Sequence, residues 1–174
     1  MTSETRKEQL MAQAYDAGYN YEKTYGGCGQ CIFAALQDTL EKHAPEWDSV
    51  FQSLTAHAGG IGRQTDGSCG AYVGAAAFMG LLLGRARDNF ADPDKLRRKT
   101  EALVDKLHDK FLKEYGTITC HEIHRVKYGR PFYIKDPDEF VKFEAAGAHD
   151  TGCTSVVGNA ARWTVEILLD AGLA

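Results

Sequence analysis

Ser68-Cys69-Gly70-Ala71-Tyr72-Val73-Gly74-Ala75-Ala76-Ala77-Phe78-Met79-Gly80-Leu81-Leu82-Leu83-Gly84-Arg85-Ala86-Arg87 is the stretch that decides the fold. A helix drawn through it carries Ala, Val, Phe, Met and Leu on every face, and a helix that is apolar all round is a buried one. Gly70 and Gly74, then Gly80 and Gly84, form two Gly-x-x-x-Gly pairs. Without side chains there, neighbouring backbones can come close, at the centre of a bundle or across a homodimer interface. The run is shorter than the roughly 20 apolar residues that cross a bilayer, so no membrane span is expected.

Working towards the N-terminus, Ser3 is placed to cap a first helix. Leu10, Met11, Ala14, Tyr15 and Gly18 form its apolar stripe, and Tyr25-Gly26-Gly27 ends it. A second helix is expected over 28–43, with Ile32, Ala35, Leu36 and Leu40 inward and Pro45 at its exit. A third, over 48–57, stops at Gly59-Gly60. Towards the C-terminus, Asp92-Pro93 reads as an N-cap followed by proline at the first helical position of a long helix ending at Tyr115-Gly116. Thr119 is placed to cap a short helix over 120–128, Asp136-Pro137 opens another to 144, and a last helix begins near Cys153. No alternation long enough for a sheet occurs. The expectation is an all-α fold: one domain over 1–174, a bundle of about six to eight helices around a buried Gly/Ala-rich central helix.

The 174 residues can bury about two-thirds of the surface of the unfolded chain, so the fold needs no covalent staple. A net charge of -4 argues against a nucleic-acid partner, which would demand clustered cations. The one basic run, Arg97-Arg98-Lys99, reads as the solvated face of a helix. The polar N-terminus lacks the apolar core of a signal peptide, so a cytoplasmic location is expected. Thiols stay reduced there, and five cysteines then point to metal binding or redox chemistry rather than structural disulfides.

Cys28, Cys31, Cys69, Cys120 and Cys153 each fall at or near a predicted helix start. Free N–H groups and the positive end of the helix dipole would favour thiolates at such positions, lowering their pKa. Four thiolates complete the shell of a two-iron or four-iron cluster, and five cysteines leave one to spare. Only Cys28-Gly29-Gln30-Cys31 is a local pair, so any shared site requires the bundle to bring distant helix starts together. Ile32 stands where covalent haem attachment would need His. Cys69, beside Gly70 and Ala71, also fits a small buried hydrophobe.

These pieces together resemble a known family. Cys31 leading an apolar helix, Gly59-Gly60-Ile61-Gly62, Cys69-Gly70-Ala71-Tyr72-Val73-Gly74, Cys120 after Tyr115-Gly116-Thr117-Ile118-Thr119, and Cys153 look like the C_GCAxxG_C_C family of redox-active proteins. The likeness runs over about residues 10–169. The resemblance implies a fold shared with the cluster-bearing part of split-Soret cytochromes. It also implies a cysteine set of Cys31, Cys69, Cys120 and Cys153, with Cys28 as an addition: a spare ligand, a resolving thiol for Cys31, or a bystander.

His121 and His124, three apart beside Cys120, are candidate ligands or proton carriers, although Glu122-Ile123 between them does not make the zincin motif. His57 reads as a helix C-terminal residue favoured by the dipole, and Arg63 and Arg130 as loop cations near the cysteine elements. Three functions stay open. One is an iron–sulfur electron carrier or oxidoreductase serving a redox partner protein. The second is a cluster-free thiol–disulfide protein using Cys28 and Cys31. The third is a zinc-stabilised helical interaction module.

Overall fold

The computed structural model describes residues 3–174. Among the described residues eight α-helices occur in order: α1 (Ser3–Tyr25), α2 (Cys28–Leu40), α3 (Asp48–Ser53), α4 (Gly70–Leu83), α5 (Leu96–Tyr115), α6 (Cys120–Tyr128), α7 (Pro137–Ala145) and α8 (Cys153–Asp170). Short 3-10 turns flank α3, and a π-helical turn (Ala148–Gly152) leads into α8. Among the described residues there is no strand, only a single antiparallel bridge between Ser68 and Thr119. No helix among them is long and apolar enough to cross a membrane.

Two helices share the centre. The Gly/Ala-rich α4 buries Gly70, Ala71, Gly74, Ala75, Phe78 and Met79, while α8 is covered on nearly every side, from Thr154 to Leu168. α1 lies along α8. Gly18 and Gly158 permit that approach, because a Cβ on Gly18 would stand 3.0 Å from the Val157 carbonyl and one on Gly158 2.9 Å from the Tyr15 carbonyl. α2 crosses α4 just as closely. A Cβ on Gly74 would run into the Gly29 carbonyl and Ile32, and one on Gly70 into the His57 carbonyl and the Cys28 sulfur. Of the two Gly-x-x-x-Gly pairs, the first is thus a packing device inside the bundle, whereas Gly80 faces open space. Phe33, Phe78 and Trp47 pack edge-on over the α2–α4 crossing, and Phe132, Ile134, Phe143 and Ala148 form a smaller core of their own.

Several helix starts differ from expectation. The Ser3 side chain, expected to cap α1, lies outside the described residues. Asp92-Pro93 does not open α5. Asp92 has φ +56°, and a tight turn from it carries its carboxylate back over the helix start, where it accepts from the Leu96 and Arg97 N–H groups at 2.7 and 3.0 Å. It therefore caps from four residues upstream, with Pro93 in the turn. Thr119 is extended and makes no side-chain cap, because its segment is engaged in the bridge to Ser68. Asp136 caps α7 as expected, accepting from the Asp138 and Glu139 N–H groups. α2 ends at Leu40, short of 43, closed by Glu41 in the left-handed region. The basic run of α5 is solvated as expected, with Arg97 and Arg98 paired to Glu101.

The glycine contacts yield paired outcomes. Gly74→Ala forces α2 and α4 apart and should cost about 3 kcal/mol of unfolding free energy, the upper range of overpacking. Gly80→Ala meets nothing within 4 Å and should stabilise by about 0.5–1 kcal/mol through lower backbone entropy. Denaturant unfolding of the two variants beside the wild type checks both signs.

Candidate functional site

Four helix starts meet at one end of the bundle. Gly26 and Gly27, both at positive φ, turn the chain so that Cys28 is the first residue of α2. Segments 67–69 and 118–120 run antiparallel: the Cys69 N–H donates to the Ile118 carbonyl at 2.7 Å and the Cys120 N–H to the Gly67 carbonyl at 2.9 Å. This short pairing sets Cys69, which precedes α4, beside Cys120, the first residue of α6. Cys153 enters α8 from the π-helical turn, where Gly152 leaves room for Tyr128 to reach the Cys153 sulfur at 3.5 Å.

Between them lies a cavity of about 320 Å³ lined by Cys28, Cys69, Cys120 and Cys153. Its remaining wall is mostly apolar and aromatic, including Ile134, Phe140 and Phe143, with Glu22, Arg63, His124 and His149 among its ionisable members. Residues 59–63 complete it from one side. All five have φ between +57° and +70°, a left-handed turn that includes Ile61 and Arg63. Such a conformation costs a non-glycine residue about 1–2 kcal/mol and rarely recurs in succession. Gly60 in this turn lies so close to Cys120 that an added Cβ would stand 2.9 Å from the Cys120 Cβ, and the Gly59 backbone acts on the Cys28 thiol to counter the rise in its pKa.

Cys31 departs from the expected set. It lies one helical turn beyond Cys28, and its sulfur donates to the Gly26 carbonyl at 2.9 Å. It faces a separate groove lined by Tyr21, Tyr25, Gln30, Asp38 and Phe51. The fourth sulfur on the cavity wall is that of Cys28, which the resemblance left as the addition.

Electrostatics reverse a second expectation. Burial pushes the Cys153 thiol up to about 12 and raises Cys120 and Cys31 well above the usual range. For Cys28 the first cause of a raised value is the neighbouring Cys69 thiol, with burial second. The Glu22 carboxylate opposes ionisation of all four of these thiols. Desolvation and neighbouring negative charge thus outweigh the helix-start effect, which is a fraction of a charge at the end of each helix.

The histidines diverge. His121 turns outward, 2.8 Å from Glu122, with Nδ1 at 3.0 Å from the Thr65 carbonyl. His124 is buried, its Nε2 3.6 Å from the Cys120 sulfur and its ring against Phe143. Burial lowers its pKa to about 4, so the ring is neutral at physiological pH. His57 ends a 3-10 turn with its Nδ1 buried and unpartnered. Arg63 lies over Phe140 and donates to the Ile134 carbonyl, and Arg130 pairs with Glu139 away from the cavity.

Sequence reasoning missed Glu22 and His149. Glu22 is 3% exposed, with Oε1 at 3.7 Å from His149 and Oε2 unpartnered. Its signal lay in α1, where Ala14, Gly18 and Glu22 occur at four-residue steps along the buried face. An acid on an apolar stripe marks a site. His149 had no such signal, since it sits in the irregular turn before α8.

A model of the family described as "Putative redox-active protein (C_GCAxxG_C_C)" matches residues 27–167. The chain belongs to the C_GCAxxG_C_C family. The match takes in the four cavity cysteines and Cys31 alike, and is narrower than the stretch of resemblance at 10–169. No curated protein and no solved structure matches the chain. Membership makes it a redox-active type of protein. Among the described residues, no three His, Cys, Asp or Glu side chains come together as ligands for one metal ion.

The Glu22–His149–Glu144 group has a pH signature. Glu22 first, then Glu144, holds the His149 pKa above its ordinary 6.5. The charged imidazolium therefore stabilises the folded state fully below the ordinary value, and this contribution is lost as pH rises through the raised one. His149→Gln should be destabilising in urea unfolding at pH 5.5, with the gap to wild type shrinking through neutral and alkaline pH.

Proposed function

We propose that the protein is an electron carrier that holds an iron–sulfur cluster through Cys28, Cys69, Cys120 and Cys153. The observation behind this reading is that four thiols from four helix starts line one mostly apolar cavity. A single zinc ion, with Zn–S bonds of about 2.3 Å, would need its sulfurs roughly 3.8 Å apart around one point. Among the described residues no three His, Cys, Asp or Glu side chains converge on one metal ion, while the four thiols line one cavity, which suits an inorganic core of several atoms. When bound, such a core supplies one-electron chemistry at a potential set by its surroundings.

The chain's own groups suit that task. Tyr128 and His124 reach the sulfurs of Cys153 and Cys120, and the Gly59 backbone reaches that of Cys28. Hydrogen bonds to thiolate sulfur favour the more negative, reduced state and raise the potential. The neutral His124 ring contributes without adding a charge. Aromatic walls from Phe140 and Phe143 limit water, and the partly exposed Cys28 and Cys153 mark the side from which a redox partner protein would exchange electrons. Because Cys28, Cys120 and Cys153 are held protonated in the free protein, loading releases protons and strengthens as pH rises. A reducing compartment such as the cytoplasm suits five free thiols.

Anaerobic iron and acid-labile sulfide analysis tests this reading. The wild type should be brown, with both elements bound. Serine at 28, 69, 120 or 153 should lower bound iron by about tenfold or more, while Cys31→Ser retains it. A colourless wild type after anaerobic reconstitution, or a C31S variant as empty as C120S, would refute the assignment.

A further inference from the structure

Cys28 and Cys69 have a relationship that the other cavity thiols lack. Cys69 lies within hydrogen-bonding reach of the Cys28 thiol. The backbones carrying them touch: an added Cβ on Gly70, the residue after Cys69, would overlap the Cys28 sulfur and stand 2.9 Å from the Gly29 nitrogen. Cys120 is turned to His124 and Cys153 to Tyr128. Cys31, the sequence neighbour that a Cys-x-x-Cys motif would nominate, points into another groove and is held by the Gly26 carbonyl. For Cys28 and Cys31 to join, the Cys31 sulfur would have to turn away from the Gly26 carbonyl. Cys28 is also partly exposed, so a small oxidant can reach it, whereas Cys69 behind it is buried.

We propose that Cys28 and Cys69 form a redox-switch pair, which a small-molecule disulfide closes into a protein disulfide in the metal-free chain. The switch uses the cavity of the cluster reading but does not require the cluster. Cys28 attacks the small disulfide, forming a mixed disulfide and expelling one thiol. Cys69 then attacks the Cys28 sulfur and expels the second thiol. The two protein thiols lose two electrons and two protons in total, and the small disulfide is reduced to two thiols. The closed pair ties up two of the four cavity sulfurs, so the chain cannot accept iron until a dithiol reductant reopens it. Oxidation stops at this reversible stage and spares both sulfurs from sulfinic acid.

The test uses the full-length, metal-free protein. Reduced protein is exposed to oxidised glutathione, remaining thiols are alkylated, and a non-reducing digest is mapped by mass spectrometry. The expected product is a peptide pair joined through Cys28 and Cys69 with a loss of two hydrogens, persisting in C31S and absent in C28S and C69S. A dominant Cys28–Cys31 link, or wild-type protein whose cavity thiols all remain alkylatable, overturns the proposal. In a second arm, iron and sulfide are offered to reduced and to oxidised wild type. Uptake by the reduced form and its loss in the oxidised form, restored by dithiothreitol, supports the switch, while equal uptake by both forms overturns its gating role. If the reduced form takes up none but the Cys28–Cys69 link still forms, the cluster assignment fails and the thiol pair stands.

Discussion

The site depends on how closely the start of α4 can approach the start of α2. Gly70 sits against the His57 carbonyl, the Gly29 nitrogen and the Cys28 sulfur, in a space with no room for a single methyl group. That contact fixes Cys69 beside Cys28. The short antiparallel pairing between 67–69 and 118–120 then adds Cys120. Cys153 joins through α8, whose position is set by the glycine-mediated packing of α1 along it. The motif Cys-Gly-Ala-x-x-Gly thus has a packing explanation for each glycine: Gly70 admits the neighbouring sulfur, and Gly74 admits the neighbouring helix backbone.

Burial, rather than the helix dipole, decides the state of the thiols. Each helix start supplies orphan N–H groups, but the cavity removes water from the sulfurs and places the Glu22 carboxylate opposite them. Desolvation acts on the whole charge of a thiolate, whereas the dipole offers about half a charge spread over a helical turn. The free protein accordingly keeps Cys28, Cys31, Cys120 and Cys153 neutral, beside a neutral His124 in an aromatic surround. A bound cation displaces the protons on loading, and disulfide exchange passes them to the expelled thiols, so the same sulfurs can serve both kinds of chemistry.

Much of the fold was legible because its signals are local. The all-round apolar character of residues 70–83, the glycine stops after Tyr25, Tyr115 and Tyr128, and the Asp136-Pro137 opening of α7 each correspond to an element. The cap of α5 was misplaced because Asp92 reaches it through a turn with a positive φ, which residue spacing does not encode. The site was half legible. Helix-start placement singled out all five cysteines, yet nothing in Cys28-Gly29-Gln30-Cys31 says which sulfur faces the cavity. That choice belongs to the tertiary contact between Gly70 and Cys28. Glu22 was readable as an acid on an apolar stripe, while His149 acquires its neighbours only when α1, α7 and the turn before α8 assemble.

The wide turn over Ala148–Gly152 sets the rotational phase of α8. Each residue added to or removed from a helix rotates its successors by about 100°, and the azimuth of α8 is already locked by its packing on α1. The extra residue in the wider coil is what lets the chain arrive with Cys153 facing inward and Gly152 under Tyr128. Homologous chains should therefore vary freely in length across the exposed 86–91 segment, ahead of the Asp92 cap, but keep a constant residue count between Phe143 and Cys153.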